Sequence, residues 1–284
     1  MWRSDNWGHM SSSVQSASKS ALNTEPSAAL LDFRHVSVMR GDKTALNDIT
    51  LSIPAGEHVA ILGPNGSGKS TLIKTITREC YPLVLPGSSL TILGRTSWNV
   101  FELRTLLGIV SNDLMSASTR DITGLEAILS GFFSSIGIQP YHHVTPEMLK
   151  KAHAVLDLLE VPHLAEREMT AMSSGEARRI LIARALVHDP LALLLDEPSN
   201  SLDLRSALEL RAILRKLAQA GTGILLVTHH LADIIPEIER VILLRDGRIF
   251  ADGGKTLVLT TERLTELFGL PVELMERDGH YHLW

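Results

Sequence analysis

The sequence predicts an α/β fold in which short buried strands alternate with helices. Three observations carry that prediction. Apolar runs such as residues 58–62 and 191–195 are short and bounded by Gly or charged residues, as suits parallel strands covered on both faces. Segments of helical character, residues 176–186 and 207–220, separate such runs. A glycine-rich loop, residues 63–71, joins one apolar run to the helix after it.

The elements follow in order. Residues 31–38 carry Leu31, Phe33, Val36 and Val38 and predict a strand; residues 45–53 carry Leu46, Ile49, Leu51 and Ile53 and predict a second. Pro54-Ala55-Gly56-Glu57 is a turn, residues 58–62 a buried strand and residues 71–78 helical. Residues 90–93 and 108–110 predict further strands. From about residue 113 to 170 the character changes: helical patterns at 123–133 and 146–159, joined by polar or Gly/Pro connections, predict a helical insertion. Helix 176–186, strand 191–195, helix 207–220 and strand 223–227 then restore the alternation. Residues 241–244 and 248–250 bracket Arg245-Asp246-Gly247, a hairpin turn signal. Residues 1–28, rich in Ser, Asn and Ala, predict a disordered leader. The ordered domain is expected over 29–270, with 271–284 as a tail.

Composition excludes several classes. The chain has 284 residues, 44% hydrophobic and 21% charged, an ordinary globular composition with ample length for a core. Its formal net charge of −5 argues against nucleic acid as the main partner, which calls for a basic stripe. The single cysteine, Cys80, cannot form an internal disulfide, and nothing beside it suggests a nucleophile. No stretch approaches the roughly 20 apolar residues that span a bilayer, and no apolar segment reads as a secretion signal. A cytoplasmic protein is expected, one that would sit on the inner face of the membrane only through a partner.

The loop Gly63-Pro64-Asn65-Gly66-Ser67-Gly68-Lys69-Ser70-Thr71 matches G-x-x-x-x-G-K-[ST] in full. Phosphate oxygens need converging backbone N–H donors, and glycine lets the chain turn and approach without a Cβ. A helix starting near Lys69 aims its positive end at the phosphates. Lys69 adds a mobile charge, and the Ser70 hydroxyl suits Mg²⁺. These features predict that the chain binds ATP with Mg²⁺ as cofactor. Residues 191–195 end in Asp196-Glu197. Such an acid holds Mg²⁺ in phosphate-loop enzymes, which gives Asp196 the metal role, while Glu197 is placed to polarise the attacking water.

Taken in order, these residues resemble the ATP-binding cassette (ABC) ATPases over roughly residues 31–270. Met172-Ser173-Ser174-Gly175-Glu176 is similar to the family's signature loop, with Arg179, Ala183 and Arg184 continuing its helix. Asp196-Glu197 resembles the second Walker motif, Asn200-Ser201-Leu202-Asp203 the D-loop, and Thr228-His229 the switch-histidine loop. The resemblance implies a P-loop NTPase fold with a RecA-like core, an antiparallel β subdomain and an α-helical subdomain. It implies a head-to-tail homodimer with ATP sandwiched between copies. Ser173, Ser174 and Gly175 of one copy would then face the γ-phosphate held by the other, and Asp203 would link the two. His229 would join Glu197 as a catalytic residue; His230 reads as a core histidine.

Four positions depart from the family, one of them Ser174, which replaces a glycine of the signature loop. The glutamine that contacts metal and water is replaced by Asn112, which keeps the amide and loses reach. The adenine-stacking aromatic is missing near Met39-Arg40, leaving the Arg40 guanidinium as the candidate stack. Glu176 replaces a glutamine and is expected to add negative charge near the phosphates. Residues 264–270, Leu-Thr-Glu-Leu-Phe-Gly-Leu, are similar to the tail of import ATPases for iron–siderophore, cobalamin or molybdate-type substrates. The implied function is ATP hydrolysis that powers transport of a small substrate through a separate membrane permease. The alternative is an ABC ATPase with no transport role, a regulator or a clamp in translation or repair.

Overall fold

The computed structural model describes residues 29–118 and 120–284. The leader expected over residues 1–28 lies outside the described residues.

Strand β1 (Ala29–Arg40) turns through Gly41-Asp42 into β2 (Lys43–Pro54), and the two pair antiparallel. β4 (Ser89–Ile92) adds to the other edge of β1, giving a three-stranded antiparallel sheet in the order β2-β1-β4. The larger sheet takes β3 (His58–Leu62), β5 (Leu107–Val110), β6 (Ala192–Asp196), β7 (Gly223–Thr228), β8 (Arg240–Arg245) and β9 (Arg248–Gly254) in the order β5-β6-β7-β3-β8-β9. All its pairings are parallel except β8–β9. That last pair turns at Asp246-Gly247, whose φ values of 52° and 73° are the two positive angles a type I′ hairpin requires.

The apolar runs read as continuous because both sheet faces are buried. Val59 and Ile61 face one core, which the antiparallel sheet and helix α1 (Lys69–Ile76) close with Phe33, Leu46, Leu72 and Ile76. Ala60 and Leu62 face the other, closed by helical residues such as Ile128, Leu156, Leu181 and Leu214. Each fully buried Val, Leu or Ile contributes roughly 1.5–3 kcal/mol relative to exposure. These two cores therefore fix the strand ends that carry the functional loops.

Helices α2 (Val100–Leu106) and α3 (Asn112–Ser118) flank β5; neither was visible in the sequence. Helices α4 (Gly124–Leu129), α5 (Pro146–Leu158) and α6 (Ser174–Leu186) pack together in the helical region. The pattern over 123–133 divides into α4 and a 3-10 turn, Ser130–Phe133. Gly131 lies in that turn, its backbone so close to α6 that a Cβ there would lie 2.6 Å from the Arg184 carbonyl. Thr123 and Glu126 form a reciprocal capping box at the start of α4, of a kind that stabilises by about 1 kcal/mol.

Helix α7 (Leu204–Gln219) precedes β7; α8 (Lys255–Val258) and α9 (Thr261–Phe268) follow β9. The tail then forms a hairpin, β10 (Leu274–Arg277) and β11 (His280–Leu283). Its turn residues Asp278 and Gly279 both have positive φ, so Asp-Gly was the signal that could have revealed it. Tyr281 is buried in the second core, and the hairpin is packed against the domain. Among the described residues, no helix is long and apolar enough to cross a membrane.

Candidate nucleotide site

The phosphate loop leaves the end of β3 and enters α1 at Lys69. Its glycines answer different demands. A Cβ on Gly63 would lie 2.2 Å from the Leu244 carbonyl oxygen, so backbone contact forbids one. Gly68 has φ 107° and its Cβ would meet the Ala45 carbonyl at 2.7 Å. Gly66 has φ 81° in open space, a purely conformational requirement. Asn65, Gly66 and Ser70 are exposed, with Pro64 and Thr71 half-buried. Ser67 is buried; its carbonyl accepts the Gly247 N–H at 2.9 Å, tying the loop to the β8–β9 turn.

Lys69 is buried at 6% exposure. Its Nζ donates to the carbonyls of Gly63 at 2.7 Å and Pro64 at 3.0 Å, and stands 3.6 Å from Glu197 Oε1. Burial holds its pKa below the ordinary lysine value, against the opposing pull of Glu197 and Asp196. The ammonium is therefore caged where it can transfer to an entering phosphate.

Strand β6 delivers the two acids. Burial, with the Glu197 charge adding to it, pushes the Asp196 carboxyl up to about 6, and Lys69 opposes the shift. Asp196 Oδ1 is buried and, among the described residues, has no hydrogen-bond partner. Such an oxygen fits a hard divalent cation that binds through one carboxylate, a hydroxyl and phosphate oxygens. Helix α1, which carries Ser70 in its first turn, packs against β6, and Ser70 is exposed. Glu197 sits in the left-handed region at φ 48°, held by its N–H to the Val227 carbonyl at 2.8 Å. That strained backbone turns its side chain onto the neighbouring loop. Glu197 Oε2 lies 2.5 Å from His229 Nδ1 and accepts the His229 backbone N–H at 3.4 Å.

The structure thus brings Lys69, Asp196, Glu197 and His229 together. His230 is exposed, its ring centroid 3.8 Å from that of His229, so the expectation of a core histidine is corrected.

The loop Ser173–Gly175 opens α6 elsewhere; among the described residues no hydrogen bond or ion pair joins it to Gly63–Thr71. Ser173 Oγ accepts the Glu176 N–H at 3.2 Å, and Glu176 Oε2 accepts the Ser173 N–H at 2.8 Å. Glu176 Oε1 also pairs with Arg167 at 3.0 Å. The Ser173 N–H and these pairings hold the Glu176 carboxyl below its usual pKa. Its charge is held by the cap and by Arg167 at the start of α6. Ser174 Oγ donates to the Ser201 carbonyl at 3.0 Å, and Asp203 caps α7 by accepting the Ser206 N–H at 2.7 Å. A Cβ on Gly175 would lie 2.5 Å from Ser206 Oγ, so the two helix starts interlock.

Two candidates find other partners. Asn112 Oδ1 accepts from Arg178 Nη2 at 2.9 Å, which engages the amide intended for metal. Arg178 is only 2% exposed, and sequence reasoning missed it; a charge on the apolar face of α6 was its signal. Arg40 is exposed at the end of β1, with Nη1 donating to Cys80 Sγ at 3.3 Å.

Comparison with known proteins agrees with this geometry. The sequence profile of the ABC transporter family matches residues 46–200, more than half the chain. The hemin import ATP-binding protein HmuV of Hahella chejuensis is 32% identical over 244 residues, covering 82% of this chain and 90% of that one. A transporter assigned to the metal-chelate type, in an inward-facing conformation, superposes with a TM-score of 0.73 at 25% identity, covering 92% of this chain and 97% of that one. The dimeric bacterial ABC transporter cassette MJ0796 superposes with a TM-score of 0.65 at 26% identity, covering 79% of this chain and 98% of that one. The chain therefore belongs to the ABC transporter family, as an ATP-binding subunit and an ABC-type ATPase.

Proposed function

We propose that this chain is the motor of an importer: it hydrolyses ATP between two head-to-tail copies and drives uptake of a hemin- or metal-chelate-like substrate through a separate permease. The contact between Glu197 and His229, with Lys69 3.6 Å from the same carboxylate, carries the hydrolytic part. The relatives support the rest, since one imports hemin, one is a metal-chelate type transporter and one is a dimer. A subunit acting at the membrane through a permease also accords with the lack of a spanning helix among the described residues.

Gly63–Thr71 wraps the phosphates with backbone N–H groups, and Lys69 exchanges its carbonyl contacts for phosphate oxygens. Mg²⁺, held by Ser70 and Asp196, would neutralise charge on the β- and γ-phosphates. Glu197 accepts the proton of the attacking water, while His229 Nδ1 orients that carboxylate. Ser173 and Gly175 of the second copy present a hydroxyl and a free helix-start N–H to the γ-phosphate. Arg40 remains the candidate for the adenine, and Asn112 reaches the metal only if it leaves Arg178.

ATP turnover by the purified chain tests the reading. Lys69→Ala and Glu197→Gln are each expected to abolish it, and turnover surviving both would sink the assignment. Affinity purification from membranes should recover an integral membrane subunit; recovery of the chain alone would count against import.

A further inference from the structure

Behind the loops that deliver Glu197 and His229 stands a buried acid. Asp233 closes the turn Leu231–Asp233 and is 3% exposed. Its Oδ2 accepts from Ser199 Oγ at 2.5 Å and from Thr228 Oγ1 at 2.9 Å. Its Oδ1 faces Arg211 Nη2 on α7 at 3.8 Å. Ser199 lies two residues after Glu197, and Thr228 immediately precedes His229. The Thr228 hydroxyl also accepts the His230 N–H at 3.0 Å. One carboxylate oxygen therefore joins the loop after β6 to the loop after β7. From outside, β11 packs against the same turn.

The chemistry explains why an acid sits here. Two hydroxyl donors converge on a single oxygen, and an ionised acceptor makes such bonds shorter and roughly twice as strong as a neutral one. Arg211 supplies the counter-charge that makes burial of the ion tolerable. Glu197 and His229 lie just beyond the ends of separate strands, and backbone pairing reaches only as far as the Glu197 N–H on the Val227 carbonyl among the described residues. A tie between the loops beyond those ends sets how the two side chains meet.

We propose that Asp233 is a positioning residue for ATP hydrolysis: through Ser199 and Thr228 it holds the Glu197 and His229 loops in the register that lets these two side chains pair. The proposal rests on reading Glu197 and His229 as the hydrolytic pair. Asp233 itself touches neither nucleotide nor water.

The test is a double-mutant cycle on the full chain with two readouts: steady-state ATP turnover, and the side-chain ¹⁵N resonances of histidine. The His229 signal is identified by its loss in His229→Ala. Asp233→Asn and Ser199→Ala should each lower kcat, by about 10-fold or more for Asp233→Asn, with KM for ATP within about 2-fold. Both variants should move the His229 resonance. The double variant should be no worse than Asp233→Asn by more than about 2-fold, because the two changes break one shared interaction. Wild-type kcat in Asp233→Asn, losses that multiply, or an unmoved His229 resonance would overturn the proposal. If Asp233→Asn does not fold, Ser199→Ala decides alone: a lowered kcat with a shifted resonance supports the clamp, and unchanged values overturn it. Turnover that survives Glu197→Gln would instead overturn the underlying pair.

Discussion

His229 Nδ1 lies 2.5 Å from Glu197 Oε2, a contact between residues 32 positions apart that joins the ends of two neighbouring parallel strands. The imidazole is partly exposed and the carboxylate buried, so one group faces the site's entrance and the other its floor. Replacing His229 with Ala should lower kcat by about 10²-fold while ATP affinity changes little, since the phosphate loop is untouched. Turnover assays paired with nucleotide titration check both halves; a matching loss of affinity would move His229 into the binding apparatus.

Asp196 makes the metal-free protein sensitive to pH. Its folded pKa is raised to about 6 from 3.8. The stabilising effect of the bound proton is therefore complete below about pH 3.8 and is lost as pH rises through about 6. Above that, holding the buried charge costs about 3 kcal/mol, because a tenfold change in proton affinity is worth about 1.4 kcal/mol. In a chelating buffer Asp196→Asn should accordingly raise Tm by several degrees at about pH 7.5, and the gain should vanish near about pH 4. Thermal melts across that range check it. Stabilisation by ATP with Mg²⁺ should be lost in the same variant.

The glycines of the phosphate loop should separate by mechanism. Gly63→Ala drives a Cβ into backbone that cannot yield, at 2.2 Å from the Leu244 carbonyl. It should cost several kcal/mol and abolish ATP binding. Gly66→Ala meets nothing within 4 Å and bears only its positive φ, a cost of roughly 1–2 kcal/mol. Melting temperature and nucleotide affinity for the two variants measure the difference.

Glu176→Gln restores the family's usual residue and removes a charge from the start of α6. Because that carboxylate caps Ser173 and pairs with Arg167, the change should destabilise slightly, by about 0.5–1 kcal/mol. ATP affinity should stay within about 2-fold, which a titration beside a chemical melt would show.

The strands and the phosphate loop were legible because their signals are local. A short apolar run bounded by glycine, an intact Gly-x-x-x-x-Gly-Lys-Ser and an Asp-Gly turn each state their geometry within a few residues. The placement of Asp196 and Glu197 at the end of a buried strand was readable for the same reason. Long-range pairings were not: nothing near Asn112 says that Arg178, on another helix, holds its amide. Asp233 lies inside the apolar stretch Leu231–Ile235, where an acid signals a buried partner without naming Ser199 or Thr228. The exposure of His230 likewise depends on how the loop leaves β7. The short helices around β5 lack a clear period, and tertiary packing decides them.

The site proposed above is completed by a second copy of the chain, whose Ser173–Gly175 at the start of α6 would face the phosphates at the start of α1. Light scattering on Glu197→Gln at saturating ATP and Mg²⁺ tests it most directly. A mass about twice the 31.1 kDa of one chain is expected, reverting when ATP is removed and absent when Ser173→Ala is added. A particle that stays at 31.1 kDa with ATP demonstrably bound would contradict it.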